Sequence, residues 1–273
     1  MSSDTATVTA GPRVACTDVT KTFDTRTGEF TALNHVDLTL EPGTLTALVG
    51  PSGCGKSTLL RIIAGLEKAD DPDAISIDGI SPLVLRKRGE IAIAFQDASL
   101  LPWRSATSNV VLAQRLARQR VNRGYVDELL NVVGLAGFEK AKPAQMSGGM
   151  RQRVAIARCL ATSPRLMLLD EPFGAVDELT RRRLNLELPP TWADRGVTTL
   201  LVTHSIPEAV LLADTVIVMG ARPGRIVARV DVEIDRPRRA AHLHSARYHE
   251  LVDEIGSLLG VDAEEHSEGT GST

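Results

Sequence analysis

The sequence has no apolar run near the roughly 20 residues that a membrane-crossing helix needs, so no segment of it reads as a membrane span. Its opening stretch, MSSDTATVTAGP, is small and polar, with neither a basic n-region nor an apolar h-region. Residues 1–12 therefore read as a disordered end and not as a signal peptide. Cysteine is scarce: Cys16, Cys54 and Cys159 are odd in number and scattered, which fits reduced thiols better than a disulfide framework. Zinc-ligand spacing is absent, and so are internal repeats and long heptad arms. A formal net charge of -3 argues against direct binding of nucleic acid. The closing DAEEHSEGTGST has little apolar content and reads as disordered.

What is present is an ordinary globular composition over 273 residues, enough for one large domain or for a core domain with a subdomain. Five apolar, β-branched runs read as strands: Thr44–Gly50, Glu90–Phe95, Arg165–Asp170, Val197–His204 and Asp214–Gly220. Several are apolar almost without interruption, the pattern of strands covered on both faces of a parallel sheet. Helical patterns lie between them, so the class is α/β with a P-loop core. Two alternating runs near the start, RVACTDVTKTF and TALNHVDLTL, predict an added antiparallel layer. From about Ser105 the chain turns helical, and this insert, placed at about 105–160, reads as a helical subdomain.

The chemistry begins with GPSGCGKST, Gly50, Pro51, Ser52, Gly53, Cys54, Gly55, Lys56, Ser57 and Thr58, between a strand and a helix. Glycines there let successive backbone N–H groups converge on phosphate oxygens, and the helix N-terminus adds its dipole. Lys56 is placed for the β- and γ-phosphates, and the Ser57 hydroxyl for Mg²⁺. RLMLLDEP then delivers Asp170 and Glu171 at a strand end: Asp170 for the Mg²⁺ shell, Glu171 to orient or deprotonate the attacking water. His204 ends another strand and reads as a phosphate contact. In QMSGGMRQRVAIARCL, Ser147, Gly148 and Gly149 open a helix and make a second anion site.

With these segments in order, the chain resembles the ATP-binding cassette (ABC) ATPases from about Arg13 to Arg239. Residues 13–239 would then form the ATP-binding domain and residues 240–273 a C-terminal extension. The resemblance implies a head-to-tail homodimer with two ATP molecules between the copies. Each is held by Gly53, Gly55, Lys56, Ser57 and Thr58 of one copy and, in trans, by the signature residues Ser147, Gly148, Gly149 and Gln152 of the other. It also implies that Phe23 stacks on adenine, that Gln96 touches Mg²⁺ and water, that Asp177 lies at the dimer contact, and that His204 holds the γ-phosphate. Phe23 as a core aromatic is the alternative.

Within the family the segments FQDASLLPWRSATSNVVL, SGGMRQRVAIAR and RPGRIV followed by RPR resemble the ATPases of bacterial nitrate/sulfonate/taurine importers. Such an ATPase sits on the cytoplasmic face of the membrane, with two permease subunits and an extracytoplasmic solute-binding protein as separate chains. A soluble family member without a transport role, or an importer ATPase for another solute, is the alternative. The loop Leu100, Leu101, Pro102 and Trp103 holds one of only two tryptophans, and the expectation is a permease contact through Leu100, Leu101 and Trp103. Packing beneath the helical subdomain is the bland reading of Leu100 and Trp103. Arg181–Arg183 and the RPRR segment read as solvated, and Cys54 as a buried, inert thiol. Pro207 follows His204 where the subgroup often has an acid, and Pro189 and Pro190 interrupt an expected helix.

Overall fold

The computed structural model describes residues 10–26, 28–188 and 195–260. The closing acidic tail, most of the opening stretch and the Pro189–Pro190 interruption lie outside the described residues. The expectation of a disordered start fails at its last positions. Gly11 and Pro12 are buried: the Gly11 N–H donates to the Gly196 carbonyl at 2.6 Å, and the Thr198 hydroxyl donates to the Pro12 carbonyl at 2.8 Å. Two short residues with satisfied backbone groups can enter a sheet margin that larger side chains could not.

The central sheet is built from five parallel strands, β3 (Leu45–Val49), β5 (Ile91–Ala94), β6 (Leu166–Asp170), β7 (Thr198–Val202) and β8 (Thr215–Met219), with antiparallel β9 (Ile226–Asp231) at one edge. Their order is β5-β6-β7-β3-β8-β9. All five predicted strands are therefore present, trimmed by a residue or two at their ends. Alternate side chains feed two separate cores. Met167 and Leu169 of β6 enter one, Leu166 and Leu168 the other, and β8 divides the same way, with Val216 and Val218 against Ile217 and Met219. Burying each such leucine is worth about 1.5–3 kcal/mol. That outweighs β-propensity differences of at most about 1 kcal/mol, so double-sided burial decides these segments.

One face is covered by α1 (Lys56–Ile63), α2 (Pro82–Lys87) and a three-stranded antiparallel sheet of order β2-β1-β4. Its strands are β1 (Val14–Thr25), β2 (Gly28–Leu40) and β4 (Ile75–Ile77), which bears out the expected extra layer. The other face carries α3 (Ala106–Leu116), α4 (Arg123–Val132) and α5 (Gly148–Leu160), the predicted helical insert. Beyond it lie α6 (Glu178–Glu187), α7 (Ile206–Leu212) and α8 (Ala246–Leu259). Pro207 stands in the first turn of α7, where a missing N–H costs nothing, and Ser205 caps that helix by accepting from the Glu208 N–H.

The RPRR segment is not a solvated connector. Arg238 is half-buried and donates to the Val210 and Leu211 carbonyls at the end of α7, and Arg236 pairs with Asp214 at 2.8 Å while donating to the Leu212 carbonyl. Burial pulls the Arg238 guanidinium down to about 10, with Arg236 adding repulsion. Both arginines satisfy carbonyls that a helix C-terminus leaves open, and they clamp the start of the C-terminal segment onto the core. From there α8 buries Leu251 and Ile255, and the Tyr248 hydroxyl donates to the Pro207 carbonyl at 3.0 Å.

A buried carboxyl lies under this junction. Glu208 accepts from the Thr203 hydroxyl at 2.5 Å and from the Asn185 amide at 3.4 Å, yet burial pushes its carboxyl above the ordinary value of 4.5. The folded chain thus keeps this proton to higher pH than the unfolded chain does. The contribution to stability is full below 4.5 and is lost as pH rises through the raised value. Glu208→Gln should flatten that dependence: urea midpoints taken at about pH 5 and about pH 8 should differ less in the variant than in the parent.

Candidate functional site

Gly50 follows β3 directly, and the loop it opens runs into α1 at Lys56. Gly55 holds φ +101 and sits against β2, where an added Cβ would lie 2.8 Å from the Ala32 carbonyl; no other residue fits both demands. Lys56 is 7% exposed and turns back on the loop, donating to the carbonyls of Gly50 at 2.7 Å and Pro51 at 2.9 Å. Its charge is therefore already held inside the ring of backbone that the glycines shape. Pro51, Ser52 and Gly53 are exposed, Ser57 and Thr58 are half-buried at the start of the helix, and Cys54 is buried 3.7 Å from the Lys56 nitrogen.

Asp170 closes β6 and lies beside Val202 in the sheet, as Leu48 of β3 does on the other side of the same residue. The Ser57 hydroxyl donates to Asp170 Oδ1 at 3.0 Å, which joins the phosphate loop to the acid strand. Burial raises the Asp170 carboxyl above its ordinary value, and the neighbouring Glu171 charge works in the same direction against the Ser57 bond. Glu171, one residue on, has φ +48 and donates its N–H to the Val202 carbonyl at 2.9 Å. Its side chain is the meeting point of three elements. Gln96 Nε2, after β5, donates to Oε2 at 3.2 Å, and His204 Nδ1, after β7, lies 3.5 Å from Oε1.

Ser147 caps α5 by accepting from the Met150 N–H, leaving Gly148 and Gly149 in its first turn. Gly149 is pressed against the next loop, where a Cβ would come within 3.1 Å of the Ala175 carbonyl. Asp177 ends that loop as the cap of α6, and the Thr180 N–H holds its carboxyl below the usual range. Ser147 is exposed, and among the described residues no hydrogen bond ties it to the phosphate loop of its own chain.

Gln152 does not belong with the anion-facing residues. It is 2% exposed, and its amide donates inward to the Phe95 carbonyl at 2.9 Å. One turn and a half along α5, Arg158 donates to the carbonyls of Ala98 and Ser99, each at 2.9 Å. Buried Asn109 of α3 accepts from the Leu101 N–H at 2.8 Å and donates to the carbonyls of Arg104 and Ser105. The loop from Phe95 to Ser105 is thus stapled along its length by the helical subdomain. Its apolar patch divides: Leu100 packs against the core and Leu101 is half-buried, whereas Trp103 is 68% exposed. Phe23 of β1 is half-buried with the Lys21 ammonium 4.7 Å from its ring centre, so it is not a core aromatic.

One contact was not foreseen. Arg222, in the loop after β8, donates its Nε to the Gly53 carbonyl at 3.1 Å. Two residues on, Gly224 is wedged against β2, donating its N–H to the Ala32 carbonyl while its own carbonyl accepts from the Asn34 N–H. Nothing in the spacing of RPGRIV marks a partner 169 residues away. The serine at Ser57, by contrast, was legible because its partner motif is legible too.

Matched against known proteins, residues 33–174 fit the family model described as ABC transporter. An aliphatic sulfonates import ATP-binding protein of Pseudomonas syringae pv. syringae is 45% identical over 208 residues, 76% of this chain and 82% of that protein. A nitrate import ATP-binding protein of Synechococcus elongatus is 40% identical over 247 residues, 88% of this chain and 89% of its own length. Among solved structures, the dimeric structure of a bacterial ABC transporter cassette is similar at a TM-score of 0.74 and 31% identity, covering 81% of this chain and 100% of that one. A cassette in a post-hydrolysis state bound to ADP and Pi is similar at the same TM-score and 32% identity.

Arg222 holds the phosphate loop at the Gly53 carbonyl, so Arg222→Ala should leave the fold intact and weaken ATP binding about three- to tenfold, the range for one ordinary, exposed hydrogen bond. Titration with a fluorescent ATP analogue, alongside a melting curve, measures both.

Proposed function

The chain belongs to the ABC transporter family, and we propose from that premise that it is the ATP-hydrolysing subunit of an importer for a small anion such as a sulfonate, docked on the cytoplasmic face of a membrane permease. The observation that carries the reading is the convergence of Gln96, Glu171 and His204 beside a phosphate loop on one sheet edge. The relatives named for sulfonate and nitrate import support the importer assignment, and the extracytoplasmic solute-binding protein is its implied third component. Among the described residues no helix is long and apolar enough to cross a membrane.

ATP lies with its phosphates over Gly53, Gly55, Lys56, Ser57 and Thr58 and its adenine against Phe23. Exposed Ser147 and half-buried Gly149, at a helix start and, among the described residues, unattached to their own phosphate loop, serve the nucleotide of a second copy, and Asp177 lies at the contact between copies. The dimeric form of the similar cassette supports that arrangement. A serine hydroxyl, a carboxylate and a glutamine oxygen are hard oxygen donors, and Ser57, Asp170 and Gln96 fit Mg²⁺. Bound there, Mg²⁺ would supply charge neutralisation to the phosphates. Glu171 orients the attacking water and receives its proton, and His204 supports the γ-phosphate while contacting Glu171. Phosphoryl transfer asks little else of the protein than this positioning. Trp103, exposed at the far end of the Gln96 loop, is the permease contact, with Leu101 beside it.

Two outcomes follow from these roles. Glu171→Gln should bind ATP as the parent does, hydrolyse it at least about 100-fold more slowly, and run as a dimer on a sizing column with ATP present; a monomer there sinks the two-copy site. Trp103→Ala should copurify with the permease about tenfold less well while keeping its ATP affinity, the magnitude expected of an interface aromatic. Solute identity is read by screening the purified binding protein against nitrate, sulfonates and taurine.

A further inference from the structure

A cavity of about 540 Å³ lies between α6, α7 and α8, away from the phosphate loop, and none of the roles above uses it. Its size suits a small molecule. Two wall residues one turn apart on α6 each carry a buried polar atom that has no partner among the described residues: Arg181 Nε, a cationic donor, and Asn185 Oδ1, an acceptor. Asn185 is 6% exposed, and its amide nitrogen is committed to Glu208 Oε1 at 3.4 Å, which fixes the oxygen as the orphan. Such groups are normally satisfied, and together they ask for a ligand with the reverse pair, an anionic oxygen and a hydrogen-bond donor.

The remaining wall agrees with that demand. Glu178 is engaged by Arg182 at 2.9 Å and Arg181 at 3.8 Å, so it does not oppose an anion, while His244 and His249 add ring nitrogens at the rim. Glu208 Oε1 lies beside Asn185 and offers a second oxygen to a donor there. Leu211, Leu243 and Val252 give an apolar stretch for a short carbon spacer. We propose that this cavity binds a short zwitterion, an amino carboxylate or amino sulfonate, with its acid group toward Arg181 and its ammonium toward Asn185 and Glu208.

The site is wired to the ATP edge. Glu208 Oε2 accepts from Thr203, the Thr203 hydroxyl accepts from the Ser205 N–H at 3.1 Å, and these two residues bracket His204. α6 itself is capped by Asp177. A bound zwitterion that draws on Asn185 and Glu208 therefore changes the restraint on His204; this clause alone rests on the ATPase reading.

Calorimetric titration of the full chain without nucleotide tests the site, using taurine and β-alanine as zwitterions, with ethanesulfonate lacking the ammonium and ethylamine lacking the acid. One zwitterion should bind with one site per chain, and both truncated probes at least about tenfold more weakly. The ratio of taurine to β-alanine separates the sulfonate from the carboxylate source. Val252→Trp, which fills the cavity, and His249→Glu, which puts a carboxylate at the exposed rim, should each weaken binding about tenfold with ATP binding retained. Absence of binding by both zwitterions, or equal binding by both variants, overturns the site. Saturating zwitterion should also change ATP turnover about twofold or more in the parent and not in His249→Glu. Binding without that change overturns the coupling. A chain that binds the zwitterion but never hydrolyses ATP overturns the ATPase reading and leaves the site standing.

Discussion

The bond from the Glu171 N–H to the Val202 carbonyl extends the β6–β7 ladder one residue past the last strand residue, Asp170. It holds Glu171 at φ +48, a conformation unfavourable by roughly 1–3 kcal/mol for a non-glycine residue, and a ladder bond anchored between two fully buried strands is what offsets it. With that residue fixed, the carboxylate points to where Gln96 and His204 arrive from neighbouring strands. Parallel pairing does the rest, because β3, β6 and β7 must end on the same edge, and each strand end carries one part of the site.

Most of this frame was legible before any coordinates. Strands buried on both faces leave continuous apolar runs, and the phosphate loop, acid pair and signature sit at fixed offsets from those runs, so Asp170, Glu171, Lys56 and Ser57 were found together. The antiparallel layer was legible from its period of two. What escaped were contacts between long polar side chains and distant backbone carbonyls. Gln152, Arg158, Arg222, Arg236 and Arg238 each hold carbonyls remote in sequence, and a side chain that reads backbone leaves no matching residue type at its target. For the same reason Gln152 was grouped with the anion site: its position three residues after Gly149 was visible, its direction was not. The expected disorder of Gly11 and Pro12 failed because small residues are equally at home in a frayed end and in a tight sheet margin.

Polar side chains also explain how the C-terminal segment belongs to the ATPase core. Arg236 and Arg238 satisfy the carbonyls at the end of α7, while Tyr248 reaches the carbonyl of Pro207 at its beginning. The helix that starts directly behind His204 is thereby gripped at both ends by residues 236–248, outside the stretch that the family model matches.

The stapled loop between Phe95 and Ser105 has a mechanical meaning. A loose loop would absorb a push on Trp103 by bending, and little would reach Gln96. Here Asn109, Gln152 and Arg158 clamp backbone at Phe95, Ala98, Ser99, Leu101, Arg104 and Ser105, which makes the loop a stiff crank welded to α3 and α5. A crank turns as one piece. On the proposed roles, torque applied at the tryptophan would reach both the glutamine beside Glu171 and the serine at the head of α5, so a single lever would address the nucleotide of its own chain and that of a second copy.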